Sequence, residues 1–451
     1  MTTVWSAEAD ARARASYLED LATLLWPPPA AVTIGRSGAV RQSARPATAQ
    51  QAEQATAQPG AVPHGKATRG AARQNTVPCG TEEYLIVPHA GHPRLLVPAG
   101  RRAAAAAVTG FHPGRSARAR LLSHGLAAAL RTGTGHAILR DRLTVRDASD
   151  TFRSYLATIM GRGLAIAVHI GPARANRKPV AQLIGPGGDT IGYAKMGAGE
   201  LTCDLVRAED AALRLLSETR LATVRVPRVR HRGQWRGAEI LVLEPLPTGR
   251  ATRAGRPLRS AAMLEVAAIG GLRRGALTGS PYLQDLRRGL TALGDRGAPF
   301  TRCLETLAAR AGGTVLAFGA WHGDWTQWNM APHRGTLLAW DWERFATGVP
   351  VGFDALHFHL QEAITARHEP PGQAVAGTFL ASPQIVQPFG ILGGSSYDGA
   401  GGQRAAKLTA ALYLLHIARR YLEDRQDEAG AHLGRPAQWL LPGLNAAVEA
   451  L

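Results

Sequence analysis

Trp321-His322-Gly323-Asp324-Trp325-Thr326-Gln327-Trp328-Asn329, followed by Leu337-Leu338-Ala339-Trp340-Asp341-Trp342-Glu343, is the stretch on which the fold turns. Apolar runs, Thr314 to Phe318 and Leu337 to Trp340, bracket a polar loop and read as short strands. The loop carries Asp324 and Asn329, and Asp341 stands at the tip of the second strand. A carboxylate on such a loop can orient and deprotonate a hydroxyl. An amide oxygen and a second carboxylate are hard donors of the kind that hold Mg²⁺ beside phosphates. The bland reading is a polar loop that happens to carry two carboxylates. It loses weight as the upstream residues are added.

Working outward, Leu164 to Ile170, Val180 to Ile184 and Ile191 to Met196 read as three strands, with Pro186-Gly187-Gly188-Asp189 as a tight turn. Lys195 lies in the third, between apolar neighbours, where a lysine is costly unless paired. The following helix, Thr202 to Glu218, offers Glu209, with Asp210 as the adjacent alternative. Ile240 to Leu243 is an apolar strand running into Glu244-Pro245-Leu246-Pro247. Helices are expected at about 257–269, 280–294, 299–311, 404–425 and 436–450.

This ordered set resembles the aminoglycoside phosphotransferase and choline kinase-like family, relatives of the protein kinases. That family carries His-Gly-Asp, four residues, Asn, and an aspartate-bearing strand end about a dozen residues on. Gln327 stands where many members have proline, which loosens the loop slightly and removes no chemistry. The resemblance covers residues 163–451. It implies an α+β, bilobal fold with a small β-rich lobe (163–247) and a larger helical lobe (248–451). It implies transfer of a phosphoryl group from ATP, with Mg²⁺, to a hydroxyl of a sugar-like or other small metabolite. A catalytically silent nucleotide- or partner-binding relative is the alternative.

Residue by residue, the resemblance makes Asp324 the base and His322 the histidine that props its loop. It makes Asn329 and Asp341 the metal ligands and sets Lys195, held by Glu209, on the phosphates. The loop Gly171 to Lys178 would cover those phosphates, with Gly171 allowing close approach and Asn176, Arg177 and Lys178 adding donors. Backbone groups near Glu244 and Leu246 would meet the adenine edge, and Asp354 would brace the catalytic loop. His357 and His359, two apart, do not share a helix face, so no metal pair is expected there.

Before residue 163 no family is recognisable. Residues 1–26 hold an amphipathic helix over 4–25, ended by Pro27-Pro28-Pro29. Residues 27–80, rich in Ala, Gln, Pro and Thr, read as a disordered linker. Residues 81–162 read as a small α/β unit: strands at 84–87, 95–97 and 137–139, and helices at 101–109, 116–131 and 149–160. Ser149 or Asp150 would cap the last helix.

Composition bounds the remaining possibilities. The chain has 451 residues, 45% of them hydrophobic, enough for two or three cored domains. Cys79, Cys203 and Cys303 are too few and too scattered for a disulfide framework or zinc site; Cys203 and Cys303 read as buried thiols. With no signal peptide and no spanning apolar run, a cytoplasmic protein is expected. The net charge is +18, which raises nucleic acid as a partner. The excess is dispersed: 8 basic and 5 acidic residues in 1–80, 12 and 5 in 81–162, 32 and 24 in 163–451. Without a dense basic block or interleaved aromatics, a nucleic-acid site is not favoured, and a small-molecule hydroxyl substrate is.

Overall fold

The computed structural model describes residues 7–36, 80–110, 117–248, 255–393, 399–429 and 433–451. Cys79 and most of 27–80 lie outside the described residues.

The strands run in chain order as β1 (Ala31–Arg36), β2 (Glu82–Val87), β3 (Leu95–Pro98), β4 (Asp141–Arg146), β5 (Ala165–His169), β6 (Val180–Ile184), β7 (Thr190–Gly197), β8 (Val224–Arg225), β9 (Val229–Trp235) and β10 (Ala238–Leu243). All but β8 form one nine-stranded sheet, ordered β1-β4-β2-β3-β5-β6-β7-β10-β9. Every pairing in it is antiparallel. Alternation along the strands sends successive residues to opposite faces. Tyr84 and Ile86 pack in a core with Leu18, Leu21 and Leu25 of α1 (Ala7–Leu25). Leu85 packs with Ala104 and Ala107 of α2 (Arg101–Gly110) and Leu130 of α3 (Ala117–Thr132).

Sequence and structure part at four places here. The stretch expected to be linker from residue 27 contains β1. Val32 and Ile34 alternate there and lie opposite Val145 and Leu143. The strand expected at Ala137–Leu139 is instead a helical turn, α4 (Gly135–Ile138), and β4 follows it. In β4, Asp141, Leu143 and Val145 are buried, a period-two pattern disguised by the charged residues between them. The helix expected from Ser149 is α5 (Phe152–Ile159), capped by Thr151, whose hydroxyl accepts from Ser154 N–H at 3.1 Å. Asp150 instead accepts from Trp235 Nε1 at 3.2 Å. The unit 81–162 also shares its sheet and core with the strands after it, because β3 pairs with β5 through Leu95↔His169 and Leu96↔Val168.

Beyond β7 runs α6 (Glu200–Glu218), and beyond β10 the chain becomes mainly helical: α7 (Arg256–Ala267), α8 (Pro281–Ala292), α9 (Ala298–Ala311), α10 (Phe353–Thr365) and the long helix Gly399–Glu423. Two three-stranded sheets lie among them. One joins β11 (Arg273–Ala276), β12 (Val315–Trp321) and β15 (Ala346–Pro350), and the other joins β13 (Met330–His333), β14 (Thr336–Ala339) and β8. A core of Val206, Leu213, Leu241, Met263, Leu337 and Trp342 ties α6 and the large sheet to the helical part. A second, around Phe300, Leu304, Phe353, Leu412 and Leu415, holds the helices together. The result is an α+β, bilobal arrangement, with the quoted loop between β12 and β14 on the face toward the sheet. Among the described residues no single helix is long and apolar enough to cross a membrane. Cys303 is buried, whereas Cys203 is only half-buried, its thiol donating to Gly197 O.

Candidate active site

Lys195 sits in mid-sheet, flanked in register by Val180 and Leu241. With 7% exposure its ammonium needs partners, and two carboxylates supply them. Nζ donates to both Glu209 oxygens at 2.6 Å and to Asp341 Oδ1 at 2.7 Å. Burial works against the charge, but Asp341 and Glu209 outweigh it and hold the lysine pKa above its ordinary value. The helix register selects Glu209, which is fully buried. Asp210 turns to Arg214 and Arg232 at 3.0 and 3.1 Å. Asp341 is a non-glycine residue in the left-handed region, φ 71°. Such a conformation costs about 1–3 kcal/mol and persists where neighbours over-determine it. Here the next N–H, of Trp342, donates to Glu209 Oε1 at 3.3 Å, so strand, helix and turn close on one another.

The loop after β12 is pinned from below. Asp354, at the start of α10, accepts from His322 N–H at 2.8 Å and Gly323 N–H at 3.2 Å. Burial pushes its pKa up to about 7, against those two donors. His322 is buried, and its Nδ1 accepts from Asp324 N–H at 3.1 Å. The proton therefore resides on Nε2, which donates to Trp340 O at 3.1 Å. Burial lowers the His322 pKa to about 4, so the ring is a neutral spacer between the two halves of the site. Gly323 has φ 86°, and a Cβ there would lie 2.2 Å from Arg344 O, so only glycine fits. Gln327, expected to loosen the loop, fastens it: Nε2 donates to Glu362 Oε1 of α10 at 2.6 Å.

Asp324 presents a carboxylate whose Oδ2 accepts from Asn329 Nδ2 at 2.9 Å and whose Oδ1 lies 3.1 Å from His357 Nε2. Desolvation raises its pKa, but the His357 hydrogen bond and the nearby Arg420 bring it below the ordinary carboxylate range. Asp324 is thus ionised at neutral pH. His357 has no sequence signal beyond its place on the helix after Asp354. Its Nδ1 is 2.9 Å from Tyr413 Oη, and burial keeps it neutral, with its pKa below the ordinary value.

Above Asp341 the loop Gly171–Pro179 arches toward the helical lobe. Lys178 Nζ donates to Glu343, Asn176 Nδ2 donates to the same carboxylate at 3.4 Å, and Gln426 accepts from Ala175 N–H at 3.2 Å. Burial brings the Lys178 pKa down to about 8, although Asp341 and Glu209 oppose the shift. A Cβ at Gly171 meets nothing within 4 Å, so the conformation seen here does not require glycine there. Carboxylate oxygens of Glu209, Asp341 and Glu343 come within 4.8 Å of one another. Glu343 is thus a further acidic group that spacing alone did not single out.

Two cavities meet this cluster. One, about 170 Å³, is lined by Lys195, Tyr193, Leu243, Glu244, Leu246 and Trp340. The other, about 190 Å³, is lined by Asp324 and Glu343, by residues of α10, by Arg420 and Tyr421 from the end of the long helix, and by Asp424 just after it. Glu244 and Leu246, expected from the sequence near an adenine edge, both line the first cavity. Glu244 N–H itself donates to Arg228 O at 2.8 Å.

A sheet lobe and a helical lobe, with Lys195, Glu209 and Asp341 joined between them, define a bilobal α+β fold. No family model matches the chain, and no curated protein does. Among solved structures it is similar to an aminoglycoside phosphotransferase mutant in complex with ADP and hygromycin B, at 11% identity and TM-score 0.39, over 66% of this chain and 98% of that one. It is similar to spectinomycin phosphotransferase with ADP and spectinomycin at 11% and 0.38, over 66% and 98%. It is also similar to amicoumacin kinase with AMP-PNP and Ca²⁺ at 14% and 0.34, over 61% and 86%.

Proposed function

We propose that the chain is a phosphotransferase that moves the γ-phosphoryl group of ATP to a hydroxyl of a small molecule. The observation that carries this is the Lys195–Glu209–Asp341 cluster, with Lys195 on the wall of the first cavity and the Asp324 carboxylate on the wall of the second. The first cavity has the apolar strand end and backbone groups that suit a nucleoside, and Lys195 on its lining suits phosphates. The second, wide enough for a small polar molecule, brings a hydroxyl to Asp324.

Phosphoryl transfer depends on positioning and charge stabilisation, because the transition state is loose. Asp324 orients the acceptor hydroxyl. The acceptor oxygen forms its bond to γ-phosphorus as the bond to the β,γ-bridging oxygen breaks, ADP leaves with that electron pair, and the hydroxyl proton goes to Asp324. A carboxylate held this acidic acts chiefly by orientation and takes the proton late, which a loose transition state permits. Asn329 and Asp341 fit Mg²⁺: both offer hard oxygens, and the Asn329 amide nitrogen is spent on Asp324, which leaves its oxygen free. Bound there, the cation offsets the triphosphate charge. Lys195 fixes the phosphates while Glu209 fixes Lys195, and His322 and Asp354 hold the loop without touching substrate.

The test is paired. Asp324→Asn is expected to abolish transfer while Mg-ATP still binds in calorimetry, and Lys195→Met to weaken that binding. Full turnover by Asp324→Asn sinks the assignment.

A further inference from the structure

We propose that the acceptor carries an oxyanion, carboxylate or phosphate, besides the hydroxyl that is phosphorylated, and that Arg174 and Arg420 bind it. This rests on the phosphotransferase reading above and names its substrate class.

The described lining of the second cavity includes three carboxylates and three arginines. Asp424 is taken by Arg344, which contacts it with both terminal nitrogens, Nη1 to Oδ1 at 3.1 Å and Nη2 to Oδ2. Glu343 is taken by Lys178 and Asn176. Asp324 is held by His357 and Asn329 and is committed to the acceptor hydroxyl. No carboxylate on this wall is left for a cationic ligand. The arginines differ. Arg174 is exposed and makes no side-chain hydrogen bond or ion pair among the described residues. Arg420 gives one N–H to Gly323 O at 2.6 Å and pairs with no carboxylate there, so the rest of its planar fork is open. An ammonium-bearing acceptor would meet two guanidinium groups that make no ion-pair contact among the described residues, and an Asp324 whose charge the nearby Arg420 already offsets in part. An oxyanion would meet two donors with matching fork geometry.

The rest of the wall suits a hydroxylated ring or chain. Trp328, 39% exposed, and Tyr421 offer faces for its C–H groups, and Gln361 and Thr365 offer hydrogen bonds to further hydroxyls. Neither arginine lines the first cavity, whose cation is Lys195; Arg174 lies in the loop expected over the phosphates, so its separate effects on the acceptor KM and the ATP KM decide which ligand it serves.

The experiment uses the full chain with radiolabelled ATP and a small-molecule cell extract split on ion exchangers into anionic, neutral and cationic fractions. The expected result is labelled product from the anionic fraction alone, absent with Asp324→Asn. Arg174→Glu is expected to raise the KM for that fraction by about tenfold or more, the worth of one charge-assisted hydrogen bond. Its KM for ATP should stay within about twofold of the parent, and Arg174→Lys should recover part of the loss. Mass spectrometry of the product distinguishes a carboxylate from a phosphate parent. Label from the neutral or cationic fraction overturns the proposal and leaves the phosphotransferase reading standing. A rise in the ATP KM with no change in the acceptor KM also overturns it, by assigning Arg174 to the nucleotide. No labelled product from any fraction, with Mg-ATP bound normally, overturns the phosphotransferase reading and this inference with it.

Discussion

Two single residues make sharp tests of the catalytic loop. Gly323 combines φ 86° with an approach to Arg344 O that leaves no room for a Cβ. Gly323→Ala should therefore cost about 1–3 kcal/mol for the left-handed backbone alone, and more from the collision. Urea unfolding measures this, and a variant as stable as the parent would contradict the packing described. His357 acts through Asp324. Being neutral, it donates from Nε2 and helps hold the carboxylate ionised. His357→Leu should lower kcat by roughly 10- to 100-fold, the worth of a hydrogen bond to a charged group. It should also move the acid limb of the kcat–pH profile upward, because Asp324 loses a partner that depresses its pKa. A fall in kcat with an unmoved limb would reduce His357 to packing. Both residues show what a sequence does and does not reveal. His-Gly-Asp announces itself by adjacency. His357 touches the same aspartate from 33 positions away, a contact that only the packing of α10 creates.

At the scale of elements, the site is a junction of one strand, one helix and one turn, and its stability reflects that. Glu209 is fully buried between Lys195 and the Trp342 N–H. Breaking a buried pair by removing one partner costs about 3–5 kcal/mol. Glu209→Ala should fall near the lower end of that range because Asp341 still faces the lysine. Glu209→Gln, which keeps the shape, should lose less in the same denaturation assay, and equal losses would show that charge has no part in it. A lone lysine in an apolar strand announced the need for a carboxylate, but the choice of Glu209 over Asp210 came from the family resemblance and not from the residues alone. The strands β1 and β4 were not legible. β1 is a short alternating run inside a composition typical of linkers, and the charged residues of β4 mask its buried face. Glu343 was overlooked for a related reason. Its pairing with Lys178 joins two loops 165 residues apart, and no local pattern encodes it.

For the whole molecule, pH exposes how much buried polarity the fold carries. His416 lies among Tyr282, Trp321 and Phe353, with its ring stacked 8° from that of Tyr282 and Nδ1 without a partner. Burial, and then Arg420, lower its pKa to about 3, as burial lowers that of His322 to about 4. The sign follows from linkage. Between the ordinary value of 6.5 and these depressed values, the unfolded chain binds protons that the folded chain does not. The stability that both rings contribute in neutral form is whole above pH 6.5 and drains away as pH falls toward 4 and then 3. At about 1.4 kcal/mol per pH unit, His322 alone withdraws on the order of 3 kcal/mol by pH 4. Asp354 opposes this. Its raised pKa of about 7 makes its contribution complete below the ordinary 3.8 and lost as pH rises through 7. The two trends overlap in one window, so the wild-type curve alone cannot apportion them, but His416→Leu can. That variant removes one titrating ring and keeps an apolar filler, so its stability should fall less steeply than the parent's from pH 6.5 to 4 in urea unfolding. Parallel curves would mean that His416 is already protonated, or reached by water, in the folded chain.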